Sequence, residues 1–254
     1  MPIIWDRLIV NAFYPARFGP RNMNQNHQNV FIADLHHPGG RQDEIDQLLG
    51  DIPANTHRIF FLGDTFHFWI NDHSFIEERY SLFLDQMKQW AHNGIQLFFL
   101  EGNRDFLASH YFDEQAWIDV LHNPTITEIG GKVVYLGHGD ELCWNDRAYQ
   151  FYKSIIRSHP LRYLADHLPP GLRARAAQTM TDASKVLVAG KSEKTLEVPR
   201  KAYEQVIRGG VDLIIHGHLH ETYHREYRIG EQVGQALCFG WKDGKRNLIQ
   251  IEGI

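Results

Sequence analysis

Five short apolar runs, each ending abruptly in a cluster of Asp, Asn, His and Gly, limit most strongly what this chain can fold into. Val30 to Ala33 stops at Asp34, Arg58 to Leu62 at Gly63-Asp64, and Ile95 to Leu100 at Glu101-Gly102-Asn103. KVVYLG ends at His138-Gly139-Asp140, and VDLII ends at His216-Gly217-His218. Apolar runs this short, bounded by glycine, fit strands buried on both faces better than helices. In open α/β sheets ligands collect outside the carboxyl ends of the strands, so five polar clusters at five strand ends point to one shared site.

Helical spacing supplies the other half of the pattern. A polar helix is expected over about Arg41 to Gly50, and Ile76, Tyr80, Phe83, Met87 and Trp90 repeat every three or four residues up to the breaker Asn93-Gly94. Between Glu141 and Gly210 no strand is evident; the interval reads as helices over Asp146 to Ser158, Arg173 to Val188 and Pro199 to Arg208. The last forty residues alternate in character (TYHREYRI, QALCFGW, NLIQIEGI) and are expected to be antiparallel strands completing the core. The expected class is α/β, a β-sandwich core flanked by helices. An irregular arm over 1–28 precedes a domain over 29–254, which carries a helical cap inserted over 141–210.

Composition narrows the chemistry. Sixteen histidines are available as metal ligands, whereas only Cys143 and Cys238 could supply thiolates, too few and too far apart for a disulfide framework. No apolar run approaches the roughly 20 residues of a membrane-spanning helix, and the first residues lack a secretory pattern, so a cytoplasmic location is expected. The net charge of −5 is uneven: residues 141–210 hold 12 Lys and Arg against 7 Asp and Glu. A basic insertion facing an acidic core suits an anionic ligand on one side and cations on the other. Nucleic acid is not an expected partner, because the overall charge is negative and no basic-aromatic binding motif appears.

A single Asp-x-His pair is usually a capping carboxylate beside a satisfied histidine. Five clusters in register outweigh that reading. Borderline cations such as manganese, iron and zinc accept imidazole together with carboxylate oxygen. Two such ions about 3.5–4 Å apart need a bridging carboxylate, and Asp64, central in order and isolated on its own strand, is the natural bridge.

The strings Asp34-x-His36, Gly63-Asp64, Gly102-Asn103-Arg104-Asp105, His138 and Gly217-His218-x-His220 resemble the calcineurin-like metallophosphoesterase superfamily over residues 30 to 220. The resemblance implies the metallophosphoesterase sandwich and two divalent ions. One would be held by Asp34, His36, Asp64 and His220, the other by Asp64, Asn103, His138 and His218. His216 falls outside the ligand positions and is expected to be structural. Arg104 stands where many members carry a histidine acid; an arginine there would grip phosphate, and its bland alternative is a pair with Asp105 or another acid.

GNRDF, together with FIADLHH, GDTFHFWIND, HGDELCWNDRAY and IHGHLH, is similar to one subgroup, the UDP-2,3-diacylglucosamine hydrolases of lipid A biosynthesis. That likeness implies cleavage of a pyrophosphate to UMP and 2,3-diacylglucosamine 1-phosphate, with Asp64, Asn103, Arg104 and His138 as catalytic residues. It also implies manganese as the metal (iron and zinc being alternatives) and substrate contacts at Arg104, Asp146, Tyr149, Ser184 and Lys191. A peripheral position at the inner membrane surface would follow from the acylated substrate. His67 departs from the subgroup, which usually has an acid there. The alternatives are another phosphomonoesterase or phosphodiesterase of the superfamily and a non-catalytic metal-binding scaffold; the full set of seven ligands speaks against the scaffold.

Overall fold

A computed structural model describes residues 28–158, scattered positions between 160 and 175, residues 197–240 and the backbone of 249–252. Residues 1–27 of the expected arm, Ser184, Val188 and Lys191 lie outside the described residues, and Gln28, the last residue assigned to the arm, instead opens the first strand.

Two five-stranded sheets form the centre. The first has the order β10-β1-β2-β3-β4, where β1 is Gln28–Ile32, β2 Thr56–Leu62, β3 Gln96–Leu100, β4 Asp119–Val120 and β10 Ile249–Glu252. Its first four strands in sequence run parallel, and β10 closes one edge antiparallel to β1. The second sheet has the order β5-β6-β7-β9-β8, comprising Thr125–Ile129, Lys132–Leu136, Leu213–His216, Gln232–Cys238 and Tyr223–Ile229 respectively. Here β6, β7 and β9 are parallel while β5 and β8 pair antiparallel at the edges.

The period of two in the strands sorts their side chains into layers. Phe31, Phe60 and Phe98 are level across three strands and stack face to face, with centroids 4.9 and 4.7 Å apart. They meet Val134, Leu136, Leu213 and Ile215 of the second sheet, making the sandwich interior. The alternate residues Val30, Ile32, Ile59, Phe61, Leu97 and Phe99 face the other way, into a cluster with Ile45, Tyr80, Phe83, Met87 and Phe112 from α1 (Gln42–Asp51), α2 (His73–His92) and α3 (Ala108–Asp113). The outer face of the second sheet is covered by Ala202, Tyr203, Val206 and Ile207 of α5 (Arg200–Arg208). Four layers result: helices, sheet, sheet, helix.

The helix expected around Ile76 to Trp90 starts where Asp72 caps it, accepting a bond from the Phe75 amide, and ends at Asn93, with Gly94 in the left-handed region. Helix α3 and strands β4 and β5 were not expected from the sequence. The short Ala108–Asp113 segment has no room to develop a 3.6-residue repeat, and a two-residue strand has no period at all. Of the interval 141–210, α4 (Arg147–Ile156) follows a 3₁₀ turn at Asp140–Leu142, whereas α5 packs on the second sheet.

Phe60 sits between Phe31 and Phe98 with no solvent exposure. Phe60→Ala is therefore expected to lose about 3–5 kcal/mol in urea unfolding; a loss under 1 kcal/mol would show that the two sheets do not depend on this stack.

Candidate metal centre

Every polar cluster named above emerges at the carboxyl end of a parallel strand: Asp34 and His36 beyond β1, Asp64 beyond β2, Asn103 beyond β3, His138 beyond β6, and His218 and His220 beyond β7. The first three strands belong to one sheet and the last two to the other, so the site straddles the seam of the sandwich. Among the described residues the non-glycine positions with positive φ are Asp34, His36, Asp64, His218 and His220. Such conformations are strained for these residues and collect at functional sites. Here each turns a side chain off its strand end toward the others.

The seven side chains converge. His36 Nε2 lies 3.4 Å from His220 Nε2 and 4.0 Å from Asp34 Oδ1. On the other side, His138 Nε2 lies 2.8 Å from Asn103 Oδ1 and 3.2 Å from His218 Nδ1. Asp64 stands between the two groups, its Oδ2 3.8 Å from His36 Nδ1 and its Oδ1 3.8 Å from His138 Nε2. Donor atoms of Asp34, His36 and His220, and again of Asp34, Asp64 and His138, fall close enough to share an ion.

The donor set fits divalent cations on two further counts. Asp34 Oδ1 and His36 Nδ1 are buried yet lack a hydrogen-bond partner, a costly state that a bound cation would relieve. The ring of His138 is oriented as a ligand should be: Nδ1 donates to the Leu62 carbonyl at 3.1 Å, which leaves Nε2 turned to the centre.

Electrostatics follow from burial. Asp34 is 1% exposed, and burial together with neighbouring Asp64 pushes its carboxyl up to about 7. Burial alone would also raise Asp64, but His138, His36 and Arg104 outweigh it and hold that carboxyl below its ordinary range. Burial would lower His138, yet Asp64 and Asp34 carry it up to about 9. Burial takes His36 and His218 down to about 3, leaving them neutral as metal ligands must be.

Around this centre the loops are held from behind. Asp105, fully buried, accepts the amide of Gly102 at 2.7 Å and those of Asp64, Thr65 and Phe66. It therefore does not take Arg104, whose Nε lies 3.5 Å from Asp64 Oδ2 and whose amide donates to Asp64 Oδ1 at 2.9 Å. Asn123 joins two loops, accepting from the His138 amide and donating to the Glu101 carbonyl. Gly102 and Gly217 are needed for space: a Cβ on Gly102 would collide with the amide and carboxylate of Asp64, and one on Gly217 would come within 2.6 Å of Asp34 Oδ2.

The remaining sequence candidates separate. His216 is structural: Nδ1 donates to the Gly217 carbonyl and Nε2 meets the Tyr203 hydroxyl at 2.7 Å. Asp146 is buried and caps α4 by accepting the Tyr149 amide. The Tyr149 hydroxyl donates to Asp140 Oδ2 at 2.8 Å, its ring 6.1 Å from that of His218. His67 donates its amide to the His37 carbonyl. Asp105 stood in view within GNRD but was read only as a partner for Arg104. Asn123 carries no local sign beyond standing before a proline.

Two outcomes follow. Gly102→Ala should displace Asp64 and weaken Mn²⁺ binding by about 10-fold or more, in the range seen when support behind metal ligands is lost; calorimetry giving wild-type affinity would contradict the close approach. Asp34 and His138 are both shifted upward, so below those values protons occupy atoms that cations need. Mn²⁺ affinity should therefore rise as pH goes from about 6 to 9, with proton release that calorimetry in buffers of different ionisation enthalpy detects. Affinity independent of pH over that range would contradict it.

The comparisons agree with this geometry. The profile of the calcineurin-like phosphoesterase family matches residues 30–222. A UDP-2,3-diacylglucosamine hydrolase of Pseudomonas fluorescens is 29% identical over 227 residues, covering 88% of this chain and 90% of the relative. The enzymes of the same name from Histophilus somni and Azotobacter vinelandii are 33% identical (76% of this chain, 84% of the relative) and 28% identical (88% and 94%). With the matched interval running from β1 through the last histidine of the centre, the chain belongs to the calcineurin-like phosphoesterase family.

Proposed function

We propose that this chain hydrolyses the pyrophosphate of an acylated nucleotide sugar, UDP-2,3-diacylglucosamine, releasing UMP and 2,3-diacylglucosamine 1-phosphate. Asp34, His36, Asp64 and His220 would hold one divalent ion, and Asp64, Asn103, His138 and His218 the other. A mixed carboxylate, amide and imidazole set suits manganese, with iron and zinc as alternatives. When bound, such ions clamp phosphate oxygens and supply an activated water.

The observation that carries the reading is Arg104. Its guanidinium lies beside Asp64 with 29% of the side chain exposed, so it is anchored at the centre and still open to a ligand. An arginine binds phosphate oxygens in a fork and stabilises charge that develops on them. It cannot give up a proton near neutrality. Of the described histidines at the centre, His36, His138, His218 and His220 belong to the ligand set and both ring nitrogens of His216 are engaged. A leaving group that departs as an anion without an acid, such as the phosphate of an anhydride, suits this arrangement better than an alkoxide.

The cap side of the site suits an acylated substrate. Phe151 and Ile155 of α4 are 67% and 46% exposed, and Tyr163 and Leu172 are exposed beyond it. Phe151 and Ile155 lie on the face of α4 opposite Tyr149 and Lys153, so they offer an outer apolar surface for acyl chains or a lipid face rather than a wall of the metal centre. Among the described helices none is long and apolar enough to cross a membrane, so contact with the inner membrane, where an acylated substrate would reside, would be peripheral. A soluble, cytoplasmic enzyme with this face toward the lipid fits the reading, with the helices after Asp140 as its cap.

Purified protein supplied with Mn²⁺ should release UMP from UDP-2,3-diacylglucosamine. Asp64→Ala should abolish the reaction, and Arg104→Ala should lower kcat by about 100-fold or more, as removal of an oxyanion donor does. Turnover of an aryl phosphodiester but not of the nucleotide sugar would sink the substrate assignment and leave a phosphodiesterase.

A further inference from the structure

Three side chains on one face of α4, Tyr149, Lys153 and Arg157, follow each other at intervals of four and all reach inward. The Tyr149 hydroxyl and Lys153 Nζ both lie 2.8 Å from Asp140 Oδ2. Arg157, at the C-terminal cap of the helix, lies 4.0 Å from the same oxygen and donates from Nη2 to the Gly102 carbonyl at 2.6 Å. Only 13% of the Lys153 side chain and 17% of the Arg157 side chain are exposed, against a carboxylate with none. Taking cations out of water costs several kcal/mol each, and apolar side chains could fill the same space at less cost. Their presence calls for a job beyond packing.

That job is visible in what Arg157 holds. The loop after β3 is tied at successive backbone groups: the Glu101 carbonyl by Asn123, the Gly102 amide by Asp105, and the Arg104 amide by Asp64. The Gly102–Asn103 peptide follows a glycine, where rotation is least hindered, and Arg157 holds its carbonyl. If that peptide turned, Asn103 Oδ1 would leave its place 2.8 Å from His138 Nε2.

We propose that Arg157 is a positioning residue that fixes the Gly102–Asn103 peptide from the cap helix, and so sets the orientation of Asn103 toward the metal it would share with His138. The inference rests on the reading of Asn103 as a ligand given under Proposed function, and it needs no particular substrate.

The test is calorimetric titration of metal-free protein with Mn²⁺, comparing wild type, Asn103→Ala, Arg157→Ala and the double variant. Asn103→Ala should weaken one of two sites. Arg157→Ala should weaken that same site by about 10-fold, the range for residues that orient a ligand, and leave the other within about twofold. The double variant should bind no more weakly than Asn103→Ala alone, because Arg157 acts through Asn103. Wild-type affinities in Arg157→Ala, or effects that multiply in the double variant, would overturn the proposal. Should Arg157→Ala fail to fold, Arg157→Lys carries the same test: it keeps the charge beside Asp140 but loses the forked reach to Gly102. The weakened site, with the thermal transition unchanged, supports the proposal; wild-type binding in that variant overturns it. Unaltered binding in Asn103→Ala would instead remove the ligand reading itself, an outcome distinct from a silent Arg157.

Discussion

Asp34 and Asp64 lie side by side in the seam between two sheets, at 1% and 2% exposure, and the rest of the site is arranged around that placement. Two carboxylates removed from water are tolerable only if other groups replace the lost hydration. Part of the replacement is internal: the His218 amide donates to Asp34, the Arg104 amide to Asp64, and His138 and Arg104 supply positive charge near Asp64. The part left over, a buried Asp34 oxygen without a partner, is what a divalent cation would complete. Loading such a site with cations would remove the cost of burying that oxygen unpaired.

The sandwich makes that placement possible. Stacking of Phe31, Phe60 and Phe98 keeps the first three strands level, so their carboxyl ends deliver Asp34, Asp64 and Asn103 at one height. Packing of this layer on Val134, Leu136, Leu213 and Ile215 brings the ends of β6 and β7, and with them His138 and His218, to the same place. The loops that carry the converging side chains are then held at their backbone: Asp105 gathers four amides, Asn123 ties two loops, and Arg157 reaches in from the end of α4. A phosphoester centre of this kind is therefore set as much by backbone hydrogen bonding as by its ligands.

Much of this was legible in the residues. The five apolar runs correspond to β1, β2, β3, β6 and β7, because a buried strand and the turn that ends it are local properties of composition. The helix over Ile76 to Trp90 showed its repeat for the same reason. The short α3 and β4 gave too little length for a period to emerge, β5 (TITEI) mixes polar residues into its run and so lacks the continuous apolar signal of the other strands, and Asn123 carries no local mark of its role.

The order of ligand types along the chain, the strands that carry them and the absence of thiolate donors were determined by sequence alone, since each depends on a few adjacent residues. Which oxygen of Asp64 faces which histidine, the pairing of Asp105 with amides rather than with Arg104, and the hold of Arg157 on Gly102 were decided only by the tertiary structure. Apart from the local Asp105–Gly102 bond, those contacts join positions 28 to 74 residues apart in the chain, and the geometry of such a contact depends on how the elements pack, which no local pattern encodes.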